Sequence, residues 1–134
     1  MDFELKDGEQ VRTKRCVIAS ATVIEYGDLV TLSSGLIIKA VAASTAVAWA
    51  TEASAVGDTL IDVSVGDDFT LKGTADANFA VTDKGAEVDI VGTTTQLIDL
   101  GASVTDVLKV GIGSDAGTAG ATTDVEVRIN KPLF

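Results

Sequence analysis

Carboxylates are the side chains that this sequence supplies most freely for a chemical site. The chain has 134 residues, of which 20 are Asp or Glu, and Asp58, Asp62, Asp67 and Asp68 lie close together. Carboxylate oxygens bind Ca²⁺, but the stretch DVSVGDD lacks the spaced acids and the distal glutamate of a calcium-binding loop. Aspartates in turns commonly bond to neighbouring backbone, so we favour a structural role for all four.

Other catalytic side chains are scarce. The sequence has no histidine and one cysteine, so a Ser–His–Asp triad or a Cys–His pair cannot form within the chain, and the commonest ligand of catalytic zinc is missing. Cys16 is interpreted as a packed apolar side chain, and the alternative is a thiol activated by Lys14 and Arg15. A carboxylate-only enzyme remains a further hypothesis.

Two more kinds of site are not supported by the pattern. The glycines of GIGSDAG are not followed by a helical pattern, and a phosphate-binding loop needs a helix behind it. A glycosidase needs paired carboxylates across a cleft that aromatic side chains usually line, whereas aromatic residues make up 4% of this chain. We therefore expect no catalysis, no cofactor, no metal and no small-molecule substrate.

The net charge of −10 excludes several partners. A nucleic-acid binder needs a basic footprint, and an anionic membrane surface attracts basic segments. No apolar run reaches the roughly 20 residues that span a bilayer, and MDFELKDGEQ lacks the basic and apolar regions of a secretory signal. We expect neither nucleic acid nor membrane as a partner, and synthesis in the cytosol.

Residues 1–16 differ in composition from the rest of the sequence. They contain four of the ten basic residues and few apolar ones, which is typical of a solvated, conditionally ordered arm. Phe3 and Leu5 alternate with Asp2, Glu4 and Lys6, so the arm could add to a partner's sheet as an edge strand.

Residues 17–134 predict a single all-β domain of short strands and tight turns. In the alanine-rich residues 39–56 we favour strand–turn–strand, and a short helix is the alternative. The last strand should bury Val125, Val127 and Ile129 on one face, and its pairing should end near Asn130 or Lys131 because Pro132 cannot donate to a ladder.

Four stretches follow one another in the sequence: VIEYGDLVTLSSGLIIKAVAAS, an alanine-rich stretch ending in GD, GDDFTLKGTADANF and the closing VEVRINKP. Their order, which covers most of residues 17–134, resembles the capsid cement, or head decoration, proteins of tailed viruses. The resemblance implies a compact antiparallel β-barrel or β-tulip-like domain. It also implies a homotrimer on the outer surface of an icosahedral capsid, where it bridges major capsid protein subunits.

The resemblance gives a role to the N-terminal arm, because similar proteins order such a segment on the shell. The candidate capsid-binding residues are Asp2, Phe3, Glu4, Leu5, Lys6 and Arg12. Trp49, which lies between alanines, and the apolar Leu133 and Phe134 are candidate oligomer-interface residues. Deleting residues 1–16 is expected to leave a folded body that no longer attaches to capsids.

Three candidate functions follow, in addition to the carboxylate-only enzyme. The first is a non-catalytic structural protein of the virion, located on the outer capsid surface and synthesised in the host cytoplasm. The second is a ligand-binding β module for carbohydrate or Ca²⁺, suggested by the aspartates at positions 58–68. The third is another virion component, such as a tail or fibre protein.

Overall fold

The computed structural model describes residues 1–6, 8–92 and 94–134. In this part of the chain there are eleven strands, one 3₁₀ turn at Val81–Asp83 and no α-helix. In chain order the strands are β1 (Phe3–Leu5), β2 (Thr13–Val17), β3 (Leu29–Ser33), β4 (Leu36–Lys39), β5 (Ala48–Trp49), β6 (Leu60–Ser64), β7 (Leu71–Gly73), β8 (Glu87–Val91), β9 (Leu97–Asp99), β10 (Leu108–Val110) and β11 (Val125–Ile129).

The largest sheet has six antiparallel strands in the order β1-β7-β11-β10-β8-β9. Strand β11 shows the alternation that its sequence predicts, with Val125, Val127 and Ile129 buried and Arg128 exposed. Successive side chains of a strand point to opposite faces of the sheet, so this sheet has one apolar and one charged face. The strand ends at Ile129, but backbone pairing does not stop at Asn130 or Lys131 as predicted. Pro132 forms a parallel bridge with Val47, in which the flanking Lys131 carbonyl and Leu133 N–H make the hydrogen bonds, so no N–H of Pro132 is needed.

Two smaller sheets complete the fold. One has the order β4-β3-β5 and the other pairs β2 with β6. Isolated bridges connect the two sheets, antiparallel between Ala50 and Val63 and parallel between Ile18 and Ile37. The all-β prediction is confirmed, but the sheets are open and sandwich-like, and no closed barrel forms among the residues described.

The buried side chains form two cores that share strands β3 and β5. Leu29 and Trp49 pack in the first core, against the six-stranded sheet. Their neighbours Val30 and Ala48 pack in the second core, with Ile61 of β6. Because successive side chains of a strand alternate in direction, these two short strands bury both faces and divide the cores.

Residues 39–56 form no helix. Strand β4 ends at Lys39, turns follow, and Ala48–Trp49 form β5. The strand–turn–strand interpretation is therefore confirmed. High alanine content favours a helix only weakly, and here pairing of Leu29 with Trp49 and of Val30 with Ala48 outweighs it.

The expectation of a separate, conditionally ordered arm over residues 1–16 is wrong for both of its strands. Residues Phe3–Leu5 pair with β7 in the same chain, and residues Thr13–Val17 pair with β6. A few apolar residues are enough to hold this segment in the fold, because Phe3 is fully buried in the first core. The predicted folded body after deletion of residues 1–16 is accordingly not expected, since the deletion removes part of that core.

Candidate functional site

Two glycines, Gly27 and Gly73, leave the space that Phe3 occupies. An added Cβ at Gly73 would lie 2.7 Å from the Phe3 ring, and one at Gly27 would lie 2.5 Å from the Phe3 carbonyl oxygen. The Phe3 N–H donates to Gly27, and the Trp49 indole donates to the Phe3 carbonyl at 3.1 Å. The outer edge of β1 at Phe3 is thus closed by the chain's own groups, so β1 is not free to add to a partner's sheet there.

The other candidate arm residues are divided between the body and the surface. Asp2 accepts a hydrogen bond from the Gln96 N–H at 2.8 Å, and Lys6 binds Asp115 and Glu126 at 2.9 and 3.0 Å. The hydrogen bonds that Lys6 donates to Asp115 and then to Glu126 raise the pKa of Lys6. Leu5 is half-buried, whereas Glu4 and Arg12 are exposed, so these last two keep free side chains.

One lysine connects the buried acids near the start of the chain. Lys39 Nζ lies 3.7 Å from Asp2 and 3.6 Å from Asp28, and Asp28 is completely buried. Burial raises the pKa of Asp28, although a backbone hydrogen bond at Glu25 and the charge of Lys39 oppose it. The group stabilises the junction of β1, β3 and β4.

The candidate oligomer-interface residues also contact their own chain. Trp49 is 2% exposed, with Tyr26 and Phe69 against its ring, so its assignment to an interface is wrong in this fold. Leu133 and Phe134 are half-buried against the second core, and the Lys14 ammonium lies 5.1 Å from the Phe134 ring centre. Their role between copies stays a prediction.

The acids considered for Ca²⁺ do not converge. Asp58 accepts the Ala55 N–H at 2.8 Å, Asp62 pairs with Arg15 at 3.0 Å, and Asp67 and Asp68 are exposed. Among residues 1–6, 8–92 and 94–134 no group of three or more His, Cys, Asp or Glu could hold a metal ion. Asp58 therefore has the backbone-bonding role that its turn position predicts.

A carboxylate that the sequence analysis missed has the most hydrogen bonds. Asp89 on β8 accepts backbone N–H groups of Val104, Thr105 and Asp106, at 2.8–3.1 Å. Burial raises the pKa of Asp89, but these bonds outweigh it and the net pKa is lowered. The signal was an acid between the apolar Val88 and Ile90, and the bonds organise a loop.

The thiol of Cys16 is not activated. Burial raises the pKa of Cys16, and the charge of Lys14 compensates only in part. A raised thiol pKa means less thiolate at neutral pH, and the thiolate is the reactive form. The half-buried Cys16 packs against the second core, as the apolar interpretation predicts.

The surface beside β2 exposes several large apolar side chains. A groove of about 480 Å³ is lined mainly by apolar groups, and Val17, Leu36 and Val56 on its walls are 49%, 37% and 71% exposed. Leu60, opposite Val17 across the β2–β6 pair, is 44% exposed. We call Val17, Leu36, Val56 and Leu60 the β2 groove.

The sequence analysis did not find the β2 groove because its members come from four separate segments. Val17 and Leu60 become neighbours only through the β2–β6 register. The one local signal was Val56, an apolar residue directly before the Gly57-Asp58 turn, where polar residues are usual.

Comparison of the chain with protein-family models, with curated proteins and with solved structures found no match. Within the described residues no helix has the length and apolar character needed to cross a membrane. The fold and the surfaces of this chain therefore carry the functional argument.

Proposed function

We propose that this protein is a structural component of a virus particle. It binds the outer surface of an icosahedral capsid and stabilises the shell by bridging copies of the major capsid protein, without catalysis. The segments that resemble head decoration proteins are the strands and turns of the body, from β3 through β11.

The β2 groove is the observation that carries the proposal. Scattered exposed apolar residues are ordinary on protein surfaces, but contiguous ones commonly mark a surface that binds another protein. Here Val17 and Leu60 are direct cross-strand neighbours, and Val56 and Leu36 extend the same surface. A repeated shell would offer many such contacts, so each one can be weak.

Attachment to purified expanded capsids tests the proposal. A Val56→Asp variant should occupy the capsid at least about tenfold less than the parent protein, because a charge in an apolar contact is costly to desolvate. Val104→Asp is the matched control, since Val104 is 84% exposed and lies outside the β2 groove. Failure of the parent protein to bind capsids, or equal binding by the two variants, would contradict the proposal.

A further inference from the structure

We propose that the free edge of β2 binds an extended segment of the partner protein, which carries carboxylates on alternate residues. The inference rests on the proposed function only for the identity of that partner. The edge itself is a property of the isolated chain.

Strand β2 is paired on one side. The Arg12 carbonyl accepts the Val65 N–H at 2.9 Å, and the Ile18 N–H donates to the Thr59 carbonyl at 3.0 Å. Hydrogen-bonded residues alternate in an antiparallel pair, so residues 12, 14, 16 and 18 face β6. The N–H and C=O groups of Thr13 and Arg15 then point away from it.

Within the described residues, β6 is the only strand that pairs with Thr13 and Arg15, and no further backbone hydrogen bond involves their outward groups. Among the described residues this edge is covered at its far end, where Ile18 forms a parallel bridge with Ile37 of β4 and the Ala19 N–H donates to the Ile37 carbonyl at 3.0 Å. All three residues from Thr13 to Arg15 are exposed. An unpaired edge of this kind is a template for another strand.

Charge selects an acidic occupant. Three of the ten basic residues lie at Arg12, Lys14 and Arg15 in a chain of net charge −10. Arg15 is paired with Glu52 and Asp62, whereas Arg12 and Lys14 have no carboxylate within 4.0 Å among the residues described. These two share the face of β2 that is opposite Val17.

The two faces of β2 define the pattern of the incoming segment. Carboxylates on one face would meet Arg12 and Lys14. Apolar residues on the other face would continue onto Val17 and the β2 groove. Cross-strand pairs of opposite charge and of apolar side chains both stabilise a sheet.

A second copy of this chain fits the edge poorly. Antiparallel pairing of two β2 strands through their outward residues places Arg15 opposite Arg15 and Thr13 opposite Val17. Like charges directly opposite each other destabilise a strand pair. The same positive charges therefore disfavour pairing between copies and favour an acidic strand.

Titration of the isotope-labelled full chain with a capped peptide of alternating glutamate and valine tests the inference. We expect the amide protons of Thr13 and Arg15 to shift and to exchange more slowly with solvent. The same peptide with lysine in place of glutamate should leave them unchanged. The Arg12→Glu/Lys14→Glu double variant should bind the acidic peptide about tenfold more weakly.

Backbone pairing is tested separately at Thr13. Thr13→Pro removes one outward N–H at the first residue of an edge strand, a position that tolerates proline, and it should abolish the protection of Arg15. Thr13→Val keeps the N–H and should bind like the parent chain. Because folding is monitored by the remaining amide signals, loss of binding is distinguishable from unfolding.

Three results would overturn the inference: equal binding of the lysine peptide, unchanged binding by Thr13→Pro, or protection of Thr13 and Arg15 that grows with protein concentration alone. The last result would assign the edge to a second copy. None of these measurements uses a capsid. Peptide binding without capsid attachment would thus reject the proposed function alone, and the reverse would reject this inference alone.

Discussion

At the scale of single residues, hydrogen bonding explains the acids better than metal binding does. Asp58 and Asp89 both accept backbone N–H groups, but Asp58 accepts one in an exposed turn and Asp89 accepts three while 5% exposed. Turn chemistry made the role of Asp58 predictable from sequence. Asp89 was not predictable, because its donors are 15 to 17 residues away.

Asp89→Asn should lower the free energy of unfolding by about 1–3 kcal/mol at neutral pH, because three donors lose a charged acceptor. The pKa of Asp89 is lower in the folded than in the unfolded chain. The stabilisation is therefore complete above the unfolded value of about 3.9 and disappears as the pH falls through the folded pKa. Urea unfolding at a series of pH values measures the difference between parent and variant.

Asp58→Asn is the matched control for this comparison, since it removes a charge that binds one exposed N–H. Its effect should stay within about 0.5 kcal/mol. A difference between parent protein and Asp89→Asn that is independent of pH would show that the carboxylate is not held in its charged form.

At the scale of elements, alternation predicts strands but does not predict their partners. The faces of β11 follow directly from VEVRI. The place of β1 does not, because its fit depends on Gly73 and Gly27, which lie far along the chain. Composition made residues 1–16 resemble a solvated arm, and long-range burial of one aromatic side chain overrode it.

The Gly27→Ala variant tests whether β1 packs against Gly27 as described. The new Cβ would lie 2.5 Å from the Phe3 carbonyl oxygen, which is backbone and cannot rotate away, and Gly27 has φ of 91°. Gly57→Ala is the matched control, because φ there is 96° and nothing lies within 4 Å of the new Cβ. Both variants bear the strain of a positive φ, of about 1–2 kcal/mol.

The free energy of unfolding of Gly27→Ala should fall by a further ~1–3 kcal/mol, because the added methyl group overpacks its contact with Phe3. Its Trp49 emission should also shift to longer wavelength, because displacement of β1 removes the Phe3 carbonyl from the indole N–H. Equal stability of the two variants would show that β1 does not pack against Gly27 in solution.

At the scale of the whole molecule, a buried amide joins the sheets. Gln96 is 1% exposed and lies directly before β9 of the six-stranded sheet. Its side chain donates to the carbonyls of Leu29 and Ala40 at 2.8 and 2.9 Å and accepts the Leu29 N–H at 2.8 Å. Sequence reasoning could not place this residue, because its side-chain partners Leu29 and Ala40 lie 67 and 56 residues away in the chain.

Gln96→Leu should lower the free energy of unfolding by at least about 2 kcal/mol, because it leaves the Leu29 N–H and the Ala40 carbonyl without partners. The Leu29 carbonyl keeps the Ala40 N–H as a donor. Gln10→Leu is the matched control, since Gln10 is the chain's other glutamine and is exposed. Because β3 and β5 belong to both cores, the parent protein should unfold in one transition.

Trp49 fluorescence measures that transition in the first core, and far-ultraviolet circular dichroism measures it in all strands. Their midpoints should coincide in the parent protein and move together in Gln96→Leu. Two separated midpoints in the parent protein would show that the cores unfold independently.

The position of β7 constrains how a nascent chain reaches this fold. β7 pairs with β1 through Phe3 and Gly73 and with β11 through Gly73 and Val125. During synthesis, β1 therefore has no ladder partner until about seventy residues have followed it from the ribosome, and β7 keeps an open edge for about fifty more. Such distant pairings slow folding, so the six-stranded sheet should be completed late, after β11 has left the ribosome.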